Sequence, residues 1–144
     1  MSISRREICS LLPLTMIASA FAMDSKTESK LASHIYNFDD LPVEKRKTAQ
    51  VRAIFDGFTA TGEHVEVHAT ILDPGGAPHP PHHHRHSEMW LVREGTIEIT
   101  INGKTSQVGP GSVAFVASGE EHGIHNPGKT PASYFVVAIG TDPA

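Results

Sequence analysis

Gly76-Ala77-Pro78-His79-Pro80-Pro81-His82-His83-His84-Arg85-His86-Ser87-Glu88-Met89-Trp90-Leu91-Val92-Arg93-Glu94-Gly95 is the stretch on which the reading of this chain turns. On an extended backbone, alternate side chains point to opposite faces, so His82 and His84 share a face and His83 points away. Two imidazoles at that spacing are a ready pair of cis metal ligands. Glu88 follows at the start of an expected strand over residues 89–93 and offers an anionic oxygen to the same ion. The fourth donor has to come from elsewhere in the chain. His122 is suitable, because it follows Gly119-Glu120-Glu121, a turn after the apolar residues 112–117, and a barrel can return it to the same end. Seven of the 10 histidines fall within residues 79–86 and 122–125, a clustering that dispersed surface histidines would not show.

Outward from this stretch the periodicity is that of strands. Val65, Val67, Ala69 and Ile71 share one face, and Ile97, Ile99 and Ile101 share another, with Thr96, Glu98 and Thr100 opposite. Turn residues punctuate them at Asp73-Pro74-Gly75-Gly76, Glu94-Gly95, Asn102-Gly103 and Gly109-Pro110-Gly111. Both residues of Asn102-Gly103 tolerate positive φ, which fits a type I′ hairpin between strands at residues 98–101 and 104–108. Residues 112–117 and 132–139 read as buried strands. Short strands, Gly/Pro turns and no long amphipathic helix give an antiparallel sandwich or barrel. Its expected core includes Ile97, Ile99, Ile101, Val113, Phe115, Val136 and Ala138.

The first 22 residues have the layout of an export signal: Arg5-Arg6, an apolar run from Ile8 to Ala22, and small residues at Ala18-Ser19-Ala20 and Ala20-Phe21-Ala22. The run falls short of the ~20 apolar residues of a spanning helix, and Pro13 interrupts it, so no stable membrane anchor is expected. Ser4-Arg5-Arg6-Glu7-Ile8-Cys9 resembles a twin-arginine signal, with Ile8 where an aromatic residue or Leu is usual. Cleavage near Met23 predicts a periplasmic or secreted protein. Residues 23–50 read as a flexible arm or linker, and residues 51–144 as one domain.

The lone cysteine, Cys9, lies in the signal, so the rest of the chain has no thiolate for a disulfide or a metal. Any ion must sit on imidazole and carboxylate. Net charge is −4 with His neutral, and the only basic cluster beyond the signal is Lys45-Arg46-Lys47, which speaks against nucleic acid as a partner.

The chain resembles the cupin superfamily, and two motifs carry the resemblance. Gly76, His82, His84, Glu88 and Gly95 fall in register with the first, Gly-x5-His-x-His-x3–4-Glu-x6-Gly. Gly111, Gly119, His122 and Asn126 fit the second, in which Ala117 replaces a proline, a change expected to loosen a turn without touching a ligand. The resemblance implies a small jelly-roll barrel that holds one divalent ion on His82, His84, Glu88 and His122, and a homodimer formed by sheet packing. The ligand set suits Fe(II), Mn(II), Ni(II), Co(II) or Zn(II). It further implies a metal-dependent enzyme acting on a small organic substrate, dioxygenase chemistry first and lyase or isomerase next. The alternative is a non-catalytic cupin that binds a small ligand or stores metal. His79, His83, His86 and His125 are not expected as ligands, although His86 or His125 could support the site or face substrate. Glu66 and His68, opposite Val65 and Val67, either line the cavity or face solvent; Trp90 shares the parity of Glu88 and reads as cavity wall; Asn126 reads as structural.

Overall fold

The computed structural model describes residues 29–140, so the expected signal at residues 1–22 lies outside the described residues. Nine strands follow one 3-10 turn, Phe38–Asp40: β1 (Glu44–Lys45), β2 (Ala49–Phe58), β3 (His64–Leu72), β4 (Ser87–Glu94), β5 (Ile97–Ile101), β6 (Lys104–Val108), β7 (Val113–Val116), β8 (His122–His125) and β9 (Ala132–Gly140). They form a six-stranded sheet in the order β1-β2-β3-β9-β4-β7 and a three-stranded sheet in the order β6-β5-β8. All pairings within the two sheets are antiparallel. The architecture is an all-β antiparallel jelly-roll barrel: the alternation pointed to an antiparallel sandwich or barrel, and the family resemblance to the jelly roll. At the expected hairpin, Asn102 and Gly103 both take positive φ, 47° and 75°, so the type I′ reading holds.

The two sheets close on a core that includes Leu72, Trp90, Ile97, Ile99, Val116, Tyr134 and Val136. Leu72 and Ile97 are wholly buried, each stabilising the fold by about 2–3 kcal/mol through apolar area removed from water. Of the expected core, Ile97, Ile99, Val136 and Ala138 are buried, and Ile101 packs half-buried against them. Val113 and Phe115 are not core residues: each is 60% exposed. Register explains this, since Glu88 pairs with Val116 and Trp90 with Ala114, which turns Val116 and Ala114 inward and their neighbours outward. A four-residue run apolar on both faces carries no parity signal of its own.

The same logic settles β3. Thr70 and Leu72, paired with Tyr134 and Ala132, face inward, and Glu66 and His68 share their parity. The polar face of β3 therefore lines the barrel, and Val65 and Val67 lie on the outer side. That outer face is partly covered by residues 29–48, read from sequence as a flexible arm. Leu31 donates its N–H to Phe58 O and Phe58 its N–H to Ser29 O, both at 2.8 Å. Tyr36 packs on Phe55, Phe38 on Phe135, and the Arg52 and Arg93 guanidinium groups each lie 4.5 Å from the Phe38 ring centre. The described part of the arm is thus docked, because an apolar outer face gains from being covered.

Candidate metal centre

The two ligand-bearing segments are joined by backbone. His82 N–H donates to His122 O at 3.0 Å and His122 N–H to His82 O at 2.8 Å, an antiparallel bridge between a loop and β8. Gly123 permits the crossing: a Cβ there would stand 3.2 Å from Pro81 Cγ. Burial alternates along the loop, with His82, His84 and His86 half-buried and His83 and Arg85 exposed, as strand parity requires. His122 is buried at the start of β8, a strand not expected from the sequence because four residues with Gly123 and two histidines show no apolar alternation.

Backbone carbonyls orient the imidazoles. His84 Nδ1–H donates to His86 O at 2.9 Å, and His122 Nδ1–H donates to Glu120 O at 2.8 Å. A carbonyl can only accept, so these bonds place the protons on Nδ1 and leave both Nε2 atoms as lone pairs. Those Nε2 atoms, and His82 Nδ1, are buried without a hydrogen-bond partner. The donor atoms of His82, His84 and His122 lie within 4.8 Å of one another. Three buried, unpartnered imidazole nitrogens gathered within 4.8 Å are costly in a metal-free protein and are what a divalent cation satisfies, so the residues fit an ion.

Glu88 borders the same group. Its Oε1 is 3.1 Å from His84 Nε2, close enough for an ion pair, yet His84 Nε2 makes no aligned hydrogen bond. A carboxylate oxygen and an imidazole lone pair facing each other repel unless a proton or cation lies between them. Glu88 Oε2 is 3.8 Å from His122 Nε2 and accepts the Trp90 indole N–H at 2.9 Å. Trp90 is therefore both wall and brace. His84, His86 and Glu88 form a second cluster of possible donors within 4.8 Å, and the His86 ring stacks on His84 with centroids 3.5 Å apart. Burial, followed by repulsion from His79, His122 and His84, pushes His82 down to about 4, and burial and His84 likewise push His86 down. His82 is thus neutral, as coordination needs, near neutral pH.

Asn126 closes this region structurally. Its side-chain N–H groups donate to Leu72 O, Asp73 O and Thr130 O, and its Oδ1 accepts from Gly128 N–H. The Ala117 departure does not loosen its turn: Ala117 N–H, which a proline would lack, donates to Glu120 Oε2, and Glu120 N–H donates back to Ala117 O. His125 bonds Glu98 on the outer face of the small sheet, away from the centre. A hollow of about 580 Å³ lies beside it, lined by His79, Glu98 and His125 but by none of the four candidate ligands. The orphaned lone pairs, rather than the size of that hollow, locate the centre.

Residues 68–138 match the cupin domain family. The barrel has the cupin fold. An RmlC-like cupin from Shewanella frigidimarina superposes with a TM-score of 0.64 at 22% identity, covering 78% of this chain and 93% of that one. A recombinant oxalate oxidase in complex with glycolate gives 0.58 at 25% identity over 69% of this chain and 55% of its own. In sequence, a mannose-1-phosphate guanylyltransferase from Klebsiella pneumoniae is 32% identical over 75 residues, 52% of this chain. The matched stretch spans only 16% of that enzyme's length.

Proposed function

We propose that this cupin is a metal-dependent enzyme acting on a small organic substrate, with one divalent ion held by His82, His84, His122 and Glu88. The observation that carries the reading is the grouping of three buried, unpartnered imidazole nitrogens beside a carboxylate. The likeness to an oxalate oxidase supports an enzymatic role. An ion that prefers six ligands would keep positions for substrate or O2 beyond these four and would supply Lewis-acid or oxygen chemistry there. Fe(II), Mn(II), Ni(II), Co(II) and Zn(II) all suit the donors. The residues' own part is to orient the imidazoles through the His86 and Glu120 carbonyls, to fix Glu88 through Trp90, and to leave the centre partly open: the His84 and Glu88 side chains keep 17% and 13% exposure.

The test is metal analysis of the purified protein, followed by oxygen consumption and product formation with each metal form across small phenolic, enolic and carboxylic substrates. Turnover in at least one form is expected, with dioxygenase activity examined first and lyase or isomerase activity next. Binding without turnover in every form would favour a ligand-binding or metal-storage role.

Two further parts of the proposal concern context. The outer face around Leu91, Val113 and Phe115 is apolar and exposed where the arm does not reach, and a second copy of the chain is the proposed cover. The Arg5-Arg6 segment is proposed to direct export through a twin-arginine route, delivering the barrel folded with its metal in place. Replacing both arginines by lysine is expected to block export, and normal export would point to the general secretory route.

A further inference from the structure

One exposed imidazole touches the candidate metal centre without belonging to it. His79 is exposed, and its ring packs edge-on against that of His82 with centroids 4.1 Å apart. Among the described residues, the donor atoms that gather at the centre come from His82, His84, His86, Glu88 and His122; His79 is in neither group. Pro78, Pro80 and Pro81 flank it, and their fixed φ holds the bends that fold His79 back onto His82. The backbone bridge between His82 and His122, and the close fit of Pro81 on Gly123, anchor the same stretch to β8. The ring is therefore presented by a stiff segment although it stands in solvent.

Its chemistry matches that of the buried ligands. His79 Nδ1–H donates to Pro80 O at 2.9 Å, just as the His84 and His122 Nδ1–H groups donate to the His86 and Glu120 carbonyls. A carbonyl only accepts, so His79 Nε2 is left as a lone pair, the arrangement that prepares a histidine for a metal. His79 also lines the hollow of about 580 Å³ on the outer side of the small sheet, together with Lys47, Pro81, Glu98 and His125. Bonds from Gln107 and His125 hold the Glu98 carboxyl below its usual range, so ionised Glu98 offsets the charge of Lys47 there. His79 thus has one side on an open hollow and the other on a ligand of the centre.

We infer that His79 is the entry ligand of the metal centre: it captures a hydrated divalent ion at the outer hollow and hands it to His82. This rests on the metal-centre reading and adds the route by which the ion arrives. The buried donors are poorly placed for first contact, since His82 Nδ1, His84 Nε2 and His122 Nε2 are all out of solvent's reach. An exposed imidazole displaces one water of the ion with its Nε2 and then holds that ion beside His82 at a local concentration far above that in solution. His82 displaces a second water to begin the transfer; His84, Glu88 and His122 complete it, and His79 is released. Each exchange forms one metal–ligand bond and breaks another, with no change of oxidation state. Because His79 holds the ion only in passing, it lowers the barrier to entry and to exit alike and leaves the final affinity unchanged.

The experiment follows Co(II) uptake by metal-free wild type, His79→Ala and His83→Ala in stopped flow, through the visible absorption of the bound ion, and then its release into excess chelator. His79→Ala is expected to take up and release Co(II) at least about 10-fold more slowly than wild type, with Kd within about 2-fold. His83→Ala, also exposed but pointing away from His82, is expected to match wild type. Imidazole 15N shifts on saturation with Zn(II) give a second reading: those of His82 are expected to move to coordinated values and those of His79 to stay. Unchanged rates in His79→Ala, or a weakened Kd with uptake unchanged, overturns the inference. A coordination shift at His79 in the saturated protein does so too, because it makes His79 a resident ligand. Wild type that takes up no Co(II) overturns the metal reading instead, and the entry role falls with it.

Discussion

The inner face of the six-stranded sheet changes character along each strand. At one end β3 contributes Leu72 and Thr70, β9 Ala132 and Tyr134, and β4 Val92, all buried. At the other end the same strands present Glu66, His68 and Glu88, with His64 buried against Asp56 at 2.6 Å. One ladder of backbone hydrogen bonds holds both ends, so the dry end acts as the foundation and the polar end carries the candidate metal ligands at little further backbone cost. At the boundary burial pushes the Tyr134 phenol far up, keeping it neutral, while His82 is pushed down by the same cause. The difference teaches that stability and metal binding should separate under mutation.

The largest expected effect breaks the polar end alone. His84→Ala should weaken metal binding by more than about 100-fold, beyond the 10–100-fold typical of losing a supporting partner, and His83→Ala should leave it unchanged. Titration with a competing chelator reads both; equal losses would mean that the loop parity is wrong. Leu72→Ala tests the dry end: a cost of about 2–5 kcal/mol in denaturant unfolding, with metal stoichiometry intact in the folded protein, is expected. Loss of metal from folded Leu72→Ala would show that the two ends are coupled.

Asn126→Ala lies at the join and should cost about 2–3 kcal/mol, since it leaves buried carbonyls without their donor. Acidification sharpens the contrast in metal-free protein. His82 titrates at about 4 when folded against 6.5 when free, so the unfolded chain takes up the proton first. Stability should be full above pH 6.5 and fall as the pH drops toward about 4, and a His82→Gln variant should lose that part of the slope. The smallest effect is expected on the outer face: Phe115→Ser should change monomer stability by less than about 0.5 kcal/mol while lowering the mass seen by light scattering to that of one chain.

Much of this was legible in the chain. His82 and His84 were readable because a period of two is strict, and His122 because the second motif fixes its spacing. The hairpin was readable because Asn102-Gly103 has few other uses. Val113 and Phe115 were misplaced because residues 112–117 are apolar on both faces, so only pairing with β4 sets their parity. The inward turn of Glu66 and His68, one of two orientations the sequence left open, was undecided for the opposite reason: their apolar neighbours Val65 and Val67 look like the core face until the arm is seen beneath them. That docking rests on isolated aromatics, Tyr36 and Phe38, whose partners are distant in sequence.

The strand ends described above have a practical geometric consequence. Ser29 meets Phe58, Phe58 pairs with His64, and His64 pairs with Gly140, all at the end of the sheet where Glu66 and Glu88 stand. Ser29 and Gly140, the first and last described residues, thus lie at the end of the sheet that carries the candidate metal ligand Glu88. A probe attached close to Ser29 or Gly140 would sit at the candidate-ligand end of the sheet, whereas one attached in the Asn102-Gly103 hairpin would avoid those two positions.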